Sequence, residues 1–134
     1  MIHFKMPDCP EYLFDAAYRG VLLPVSCVEL STKKIDNHFK AKDKVSGKIM
    51  GYVGPEGSDY NVERNKNLER YIRSNSVEMP IMDAPDYRNN DRFVNSVSIK
   101  DGRHRLFVMC EMGIAVCKVV VPTIKKDLFL SAFG

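Results

Sequence analysis

Five consecutive residues combine side chains and backbone features that suit phosphate binding: Asp101, Gly102, Arg103, His104 and Arg105. A strand-like run precedes them and an apolar helical pattern follows, so the three basic residues fall on the first turn of a predicted helix. The helix dipole favours negative charge at that end, so three cations there are unfavourable in the empty protein. A bound anion would reverse that cost.

The same turn offers two kinds of hydrogen-bond donor to an anion. Gly102 allows a positive φ or a close approach of the backbone, and the first N–H groups of a helix have no partner within it. The guanidinium groups of Arg103 and Arg105 can hold phosphate in a bidentate fork. We therefore predict a phosphate site over Asp101–Arg105. In the alternative interpretation, Asp101 caps the helix and the arginines pair with surface carboxylates.

Hydrophobic periodicity and turn residues predict the elements that must position this turn. The first half of the chain indicates a short helix in 7–20 and a strand in 21–30, in which Pro24 suits a sheet edge or a bulge. A turn that Ser31 or Thr32 could cap, a solvated lysine-rich stretch in 33–48 and a loop in 53–61 come next. A helix follows in 61–75, with a predicted apolar stripe of Val62, Leu68, Tyr71 and Ile72.

The second half of the chain carries the predicted turn and the strands around it. It indicates two strands in 77–84 and 91–100 that form an antiparallel hairpin, a helix over Arg103–Met112 closed by Gly113, a buried strand in 114–122, and a last helix or partner-facing tail in 124–134. This order predicts an α+β fold, with a small mixed β-sheet flanked by helices, in a single domain over residues 1–134.

Composition narrows the class of protein. The 134 residues can form one domain with a core, and 45% hydrophobic with 28% charged residues is typical of a soluble globular protein. No apolar run reaches the roughly 18 residues that span a bilayer, and we expect no signal peptide. The net charge of +3 permits an anionic partner without demanding one. The cysteines lack C-x-x-C spacing, so we expect mostly buried, reduced thiols in a cytoplasmic protein: Cys9, Cys27, Cys110 and Cys117.

The segment "VSIKDGRHRLFVMCEMGIAVCKVVV", Val97–Val121, resembles the core of the ParB/sulfiredoxin superfamily. That core has a strand, a basic turn with Gly, a helix ending in Gly and a second strand. Upstream, "NLERYIRSNSVEMPIMDA" resembles the helix and x-P-I strand of the superfamily, and "VLLPVSCVELSTKKID" resembles its opening strand. The resemblance covers about Val21–Val121, with an enlarged insertion at about 40–61, and implies the fold of that superfamily.

The branches of the superfamily differ in chemistry at the basic turn. In sulfiredoxins a catalytic Cys stands where this chain has Arg103, so sulfinic-acid repair is not expected. In ParB-type proteins a Gly-x-Arg-Arg turn binds the triphosphate of CTP; His104 and Arg105 stand in the paired basic positions, and Met79 stands where Gln is common. The resemblance thus implies Met79 and Pro80 as a wall of a nucleotide pocket. ADP-dependent serine kinases have an Asp-Gly-His-His-Arg turn, the pattern most similar to the one in this chain.

Catalysis in the serine-kinase branch needs a carboxylate base near the opening strand and the turn after it. Glu29 and Asp36 are the candidates in this chain, and either could equally be a surface residue. The resemblance implies Mg²⁺ with ATP, ADP or CTP as cofactors, because phosphoryl transfer needs charge neutralisation and positioning. His38 is a candidate proton carrier, with an ordinary surface histidine as the alternative.

The residues leave three functions open. The first is a nucleotide- or phosphate-binding protein with NTPase, phosphotransferase or nuclease activity, and whether it turns over is not decided by the sequence. The second is a non-catalytic nucleic-acid-binding accessory module of a plasmid or phage, in which lysines of 33–48 would contact the phosphate backbone. The third is a protein-interaction module, such as an immunity or inhibitor protein, that binds another protein or a second copy of itself.

Overall fold

The computed structural model describes residues 2–8, 23–46 and 59–134. Its elements in chain order are β1 (Phe4–Lys5), β2 (Val25–Ser31), α1 (Thr32–Ser46), α2 (Asp59–Ser74), β3 (Val77–Glu78), β4 (Ile81–Asp83), α3 (Asn90–Ser96), β5 (Ser98–Asp101), α4 (Arg103–Glu111), β6 (Val116–Pro122), a 3₁₀ turn (Thr123–Lys125) and α5 (Lys126–Phe133). Most of the helix predicted in 7–20, of the loop predicted in 53–61 and of the insertion at 40–61, together with Cys9, lies outside the described residues.

Four strands form one mixed β-sheet in the order β2-β6-β4-β5. Strand β2 runs antiparallel to β6, β6 runs parallel to β4, and β4 runs antiparallel to β5. Strands β1 and β3 form a separate two-stranded parallel ribbon. The predicted α+β class, with a small mixed sheet flanked by helices, is therefore confirmed, and β2 lies at a sheet edge as Pro24 suggested.

One face of the sheet carries the main hydrophobic core. Alternating residues of β2 and β6 are buried there, and helices α1, α4 and α5 pack in the same core. Each helix contributes apolar pairs three or four residues apart: Ile35 and Phe39, Leu106 and Met109, Phe129 and Phe133. Burying such a side chain contributes roughly 1.5–3 kcal/mol, which fixes α4 against the sheet. The last segment is thus a helix that completes the core and not a free tail.

The stretch predicted in 33–48 only as lysine-rich and solvated forms helix α1, which was not predicted from the sequence. Ser31 caps the helix, because its Oγ accepts a hydrogen bond from the N–H of Lys34 at 3.2 Å. Ile35 and Phe39 lie four residues apart and are both buried. The lysines obscure this spacing in the sequence, since most of the described ones lie on the exposed face of the helix.

The segment predicted as one strand in 91–100 begins as helix α3, which corrects the hairpin prediction. Asn89 caps α3 through its Oδ1, which accepts the N–H of Arg92 at 2.9 Å, and Phe93 and Val97 are buried four residues apart. Strand β5 begins only at Ser98. Its antiparallel pairing with β4 is confirmed, with α3 in place of the first part of the predicted strand.

The segment predicted as one strand in 77–84 is two short strands that belong to different sheets. The backbone changes sheets at Met79 and Pro80: the N–H of Met79 donates to a carbonyl of β1, and the carbonyl of Pro80 accepts from the N–H of Val120, each at 2.9 Å. Proline suits this crossing point because it has no N–H to pair. The crossing brings Pro80 against the turn at Gly102.

Helix α2 confirms the helix predicted in 61–75, but not the whole of its buried face. Ile72 is buried and Leu68 is half-buried, as predicted, whereas Tyr71 is 46% exposed. Consecutive helical residues point about 100° apart, so the ring of Tyr71 leaves the core that Ile72 enters. The side chain of Val62 lies outside the described ones.

The thiols are less uniformly buried than predicted. Cys117 is buried and Cys110 is half-buried, but Cys27 is exposed because it alternates with Val28 along β2 and points away from the core. None of the described helices is long and apolar enough to cross a membrane.

A fully buried ion pair fixes the end of β4. The Nζ of Lys125 donates to Oδ1 of Asp83 at 2.8 Å and to the carbonyl of Ala84 at 2.7 Å. Burial lowers the pKa of Lys125, and the adjacent Asp83 carboxylate opposes that shift. Nothing in the sequence pattern indicates this pair, since a lysine followed by Lys126 is typical of a solvated segment.

Candidate functional site

The backbone at Gly102 has a conformation that other residues adopt only with strain. Its φ is +89° and its ψ is 21°, in the left-handed region. A Cβ at this position would lie 2.9 Å from Cα of Pro80 and 2.7 Å from Nη2 of Arg105. The sequence therefore needs Gly here for two reasons, the positive φ and the approach of the Pro80 backbone.

Helix α4 begins directly after this turn without a side-chain cap. The first hydrogen bond within the helix runs from the N–H of Leu106 to the carbonyl of Gly102 at 3.0 Å. The N–H groups of the three preceding residues come before that bond, and the N-cap residue, Gly102, has no side chain to cap them. The structural alternative in which Asp101 caps the helix is therefore wrong.

A cleft of about 550 Å³ opens beside this helix start. Its walls come from α2, from the end of β5 and from the first turn of α4, and the lining residues are Asn67, Leu68, Ile99, Lys100, Asp101, Gly102, Arg103, His104 and Arg105. The volume falls within the range of small-molecule sites. All five residues of the predicted phosphate site thus line one cleft.

The charges in the cleft are mostly positive. Lys100 and Arg103 are exposed, and among the described residues that line the cleft Asp101 is the only carboxylate. Oδ2 of Asp101 lies 3.1 Å from Nη2 of Arg105, whose side chain is 20% exposed. The part of the structural alternative that pairs an arginine with a carboxylate therefore holds for Arg105. Its buried Nε–H has no hydrogen-bond partner among the described residues.

Met79 and Pro80 support the cleft from behind. Pro80 lies against Gly102, and the buried side chain of Met79 packs with Ile81 and Val120 in a small second cluster. Neither residue is among those that line the cleft. The structure thus places Pro80 against the turn and Met79 in the cluster behind it, and their role as a nucleotide-pocket wall stays a prediction.

Asp36, a residue of α1, lies near the end of α4 that is farther from the turn. It is 4% exposed, and its Oδ2 lies 2.8 Å from Nζ of Lys40. Burial and, after it, the neighbouring Asp36 carboxylate raise the pKa of the Cys110 thiol. Because Cys110 follows Arg103 by seven residues, it lies about 10 Å further along the helix axis. The structure does not bring Asp36 to the cleft.

Glu29 lies in β2, at the opposite edge of the four-stranded sheet from β5, the strand that leads into the turn. It is exposed in β2, opposite Lys118 of β6. Strands β2 and β5 form the two edges of the four-stranded sheet, roughly 14 Å apart at about 4.8 Å per strand. Neither of the two carboxylates predicted as catalytic therefore adjoins the turn.

His38 is half-buried between α1 and α5 and not at the cleft. Its ring makes edge-to-face contacts with Phe39 and Phe133, at centroid distances of 4.9 and 5.4 Å. Burial, and then the charge of Lys42, lower the pKa of the imidazole. This environment gives His38 a place in helix packing, and its role as a proton carrier stays a prediction.

Sequence reasoning missed the residues that complete the cleft. Lys100 directly precedes the basic turn, and its charge was the available signal. Asn67 and Leu68 come from α2, more than thirty residues earlier, and only the packing of α2 beside α4 reveals them. Among the described residues, no group of three or more His, Cys, Asp and Glu side chains could hold a metal ion.

Comparison of the chain with protein-family models, with curated proteins and with solved structures found no match. The resemblance to the ParB/sulfiredoxin superfamily therefore stays a prediction from the sequence.

Proposed function

We propose that this chain is a nucleotide- or phosphate-binding protein whose cleft takes the phosphate groups of its ligand at the Gly102 turn. The observation that carries the proposal is the joint placement, in one cleft, of an uncapped helix start and of the basic side chains Lys100, Arg103 and Arg105. Backbone N–H groups and the helix dipole both favour an anion at this position. The cations that are unfavourable in the empty protein become favourable once phosphate is bound.

Catalysis is a further step of this proposal and depends on Asp101. It is the carboxylate that the described cleft offers, and so the one that could orient a water molecule. It could also join a Mg²⁺ ion held mainly by the ligand phosphates, as Mg²⁺ commonly uses one or two carboxylates together with phosphate oxygens. NTPase, phosphotransferase and nuclease activities can each use such an arrangement. We also propose a cytoplasmic location, where nucleotides are available and thiols stay reduced.

The nucleic-acid alternative draws little support from helix α1. Lys34 donates to the carbonyl of Gly134, Lys40 pairs with Asp36, and Lys42 donates to two carbonyls at the end of α3. Lysines engaged within the protein are poorly placed to release counterions from a phosphate backbone. Binding to a protein partner, or to a second copy of the chain, becomes the leading alternative if the experiments below show no binding of phosphate ligands.

The test is calorimetric titration of the wild type and of Arg103→Ala with tripolyphosphate, ATP, ADP and CTP, with and without Mg²⁺. We expect the wild type to bind at least one of them, and Arg103→Ala to weaken binding about tenfold or more, since a hydrogen bond to a charged group contributes about 1.5–3 kcal/mol. Arg88→Ala, which removes an exposed arginine outside the cleft, is the matched control and should bind as the wild type does. A wild type that binds none of these ligands would overturn the proposal.

A further inference from the structure

Tyr71 is a large aromatic side chain of α2 that the structure leaves 46% exposed. Asn67 and Leu68 line the cleft from α2, and Tyr71 follows them by four and three residues. Helical residues at these spacings share a face, with Cβ atoms about 5–6 Å apart. Tyr71 therefore lies on the face of α2 that lines the cleft, one helical turn further along the helix.

An exposed aromatic ring by itself needs no explanation, so its surroundings matter. Tyr87, exposed to a similar extent at 44%, lies over the ammonium of Lys125 at 4.8 Å from the ring centroid. No comparable ring contact or side-chain hydrogen bond of Tyr71 occurs among the described residues. The neighbouring Ile72 enters the core, so α2 is anchored while the Tyr71 ring faces outward at the end of the cleft wall.

We propose that Tyr71 is the platform on which the base of a nucleotide stacks while its phosphates occupy the Gly102 turn. This inference rests on the proposed function, and it narrows the ligand from any phosphorylated molecule to a nucleotide. A phosphate site lined by cations and flanked by an exposed aromatic ring matches the two recurring contacts of nucleotide recognition, charge on the phosphates and stacking on the base. Because every base has a π-face, the platform tolerates different bases, and purine and pyrimidine nucleotides should bind similarly.

The experiment compares a ligand that has a base with one that lacks it. Dissociation constants for ADP, for CTP and for tripolyphosphate are measured with the wild type, Tyr71→Ala and Tyr71→Phe. We expect Tyr71→Ala to weaken both nucleotides about tenfold, since stacking contributes about 1–3 kcal/mol per base, and to leave tripolyphosphate within about twofold. Tyr71→Phe keeps the ring and should bind all three ligands as the wild type does.

A spectroscopic measurement tests stacking without relying on the alanine variant. The chain has six tyrosines and no tryptophan, so its intrinsic fluorescence comes from tyrosine alone. Saturation with a nucleotide should quench part of that emission in the wild type and a smaller part in Tyr71→Phe. Tripolyphosphate should not produce this difference. Equal quenching in the two proteins would overturn the platform even if Tyr71→Ala failed to fold.

Failure of this inference is distinguishable from failure of the proposed function. If the wild type binds neither nucleotides nor tripolyphosphate, the phosphate site itself is wrong. If all ligands bind and Tyr71→Ala weakens none of them, or all of them equally, the phosphate site stands and the platform is overturned. A single-stranded oligonucleotide that binds far more tightly than any mononucleotide would overturn the assignment of a nucleotide and favour a nucleic-acid strand.

Discussion

Gly102 determines how the basic turn can approach the rest of the protein. Its positive φ directs the chain from β5 into α4, and its missing side chain lets Pro80 pack against the turn. The second described glycine with a positive φ, Gly113 at +78°, ends the same helix, but a Cβ there would meet no atom within 4 Å. A side chain at Gly113 would add backbone strain alone, whereas one at Gly102 would add strain and a close contact. Comparing mutations of the two glycines therefore isolates the effect of the contact.

We expect Gly102→Ala to destabilise the protein more than Gly113→Ala. Both variants place Cβ at a positive φ, at a cost of about 1 kcal/mol or more. Gly102→Ala adds a contact of 2.9 Å with the Pro80 backbone, so its total cost should be about 2–4 kcal/mol. Chemical denaturation measures both losses, and only Gly102→Ala should also weaken phosphate binding. Equal losses in the two variants would show that the Pro80 contact yields without cost.

At the scale of elements, the sequence predicted the helices and strands whose apolar residues follow a clear period that few polar residues interrupt. Strand β6 and helix α4 have apolar patterns bounded by Gly113 and Pro122, and both lie where the patterns indicated. Helix α1 was missed because its core pair, Ile35 and Phe39, is diluted by lysines, and α3 because its seven residues are too few to display a helical period. Where the apolar period is short or is interrupted by polar residues, the secondary structure depends on packing against other elements, which the local sequence does not show.

The candidate site was predictable to the extent that it is local. Residues 101–105 are contiguous, so their types alone indicate a basic helix start after a Gly turn. The placement of Glu29 and Asp36 depends instead on strand order and on which end of α4 contacts α1. Tyr71 was predicted in the apolar stripe of α2 but is exposed. The helix period shows which residues share a face, but it does not show how wide the buried face is.

Lys42 joins two elements by a contact that the sequence did not indicate. Its Nζ donates to the carbonyls of Asn95 and Val97, at 2.9 and 3.0 Å, and so links α1 to the end of α3. Partial burial lowers the pKa of this ammonium group. The carbonyls at the end of a helix have no partners within it, so the lysine supplies hydrogen bonds that they would otherwise seek from water.

We expect Lys42→Met to lower the free energy of unfolding by about 1–3 kcal/mol, because it removes hydrogen bonds from a charged donor while keeping most of the side-chain length. Lys33→Met, at an exposed position of the same helix, is the matched control and should change stability by less than about 0.5 kcal/mol. Thermal or chemical denaturation provides the comparison. A loss in both variants of similar size would point to general charge effects and contradict a specific link.

At the scale of the whole molecule, the cleft lies where three elements meet. Strand β5 and helix α4 supply the basic turn, α2 supplies the opposite wall, and the chain crossing at Pro80 holds the turn from below. The net charge of +3 is small, so affinity for phosphate must come from the local arrangement of cations and not from the field of the whole protein. Raising the ionic strength should therefore weaken ligand binding only moderately, in contrast to a protein that coats nucleic acid.

Stability of the whole fold should depend on pH through His38, which lies between α1 and α5 against Phe39 and Phe133. Burial first, and the charge of Lys42 second, lower the pKa of its imidazole in the folded state. Lys34 and Asn37 line the same open surface cavity as His38. Since the folded protein resists protonation, the unfolded chain binds more protons once the pH falls below its own histidine pKa of about 6.5.

The sign of the effect follows from that difference in bound protons. Above about pH 6.5 the imidazole is neutral in both states, so His38 does not change the free energy of unfolding. Below that pH the unfolded chain binds more protons than the folded protein, so the free energy of unfolding falls. We expect the free energy of unfolding to fall between about pH 7.5 and 5.5, and to fall less in His38→Gln. His3→Gln, which alters an exposed histidine, is the control and should keep the wild-type dependence. If His38→Gln and the wild type lose stability in parallel as the pH falls, the imidazole between α1 and α5 does not govern this part of the pH profile, and other titrating groups must account for it.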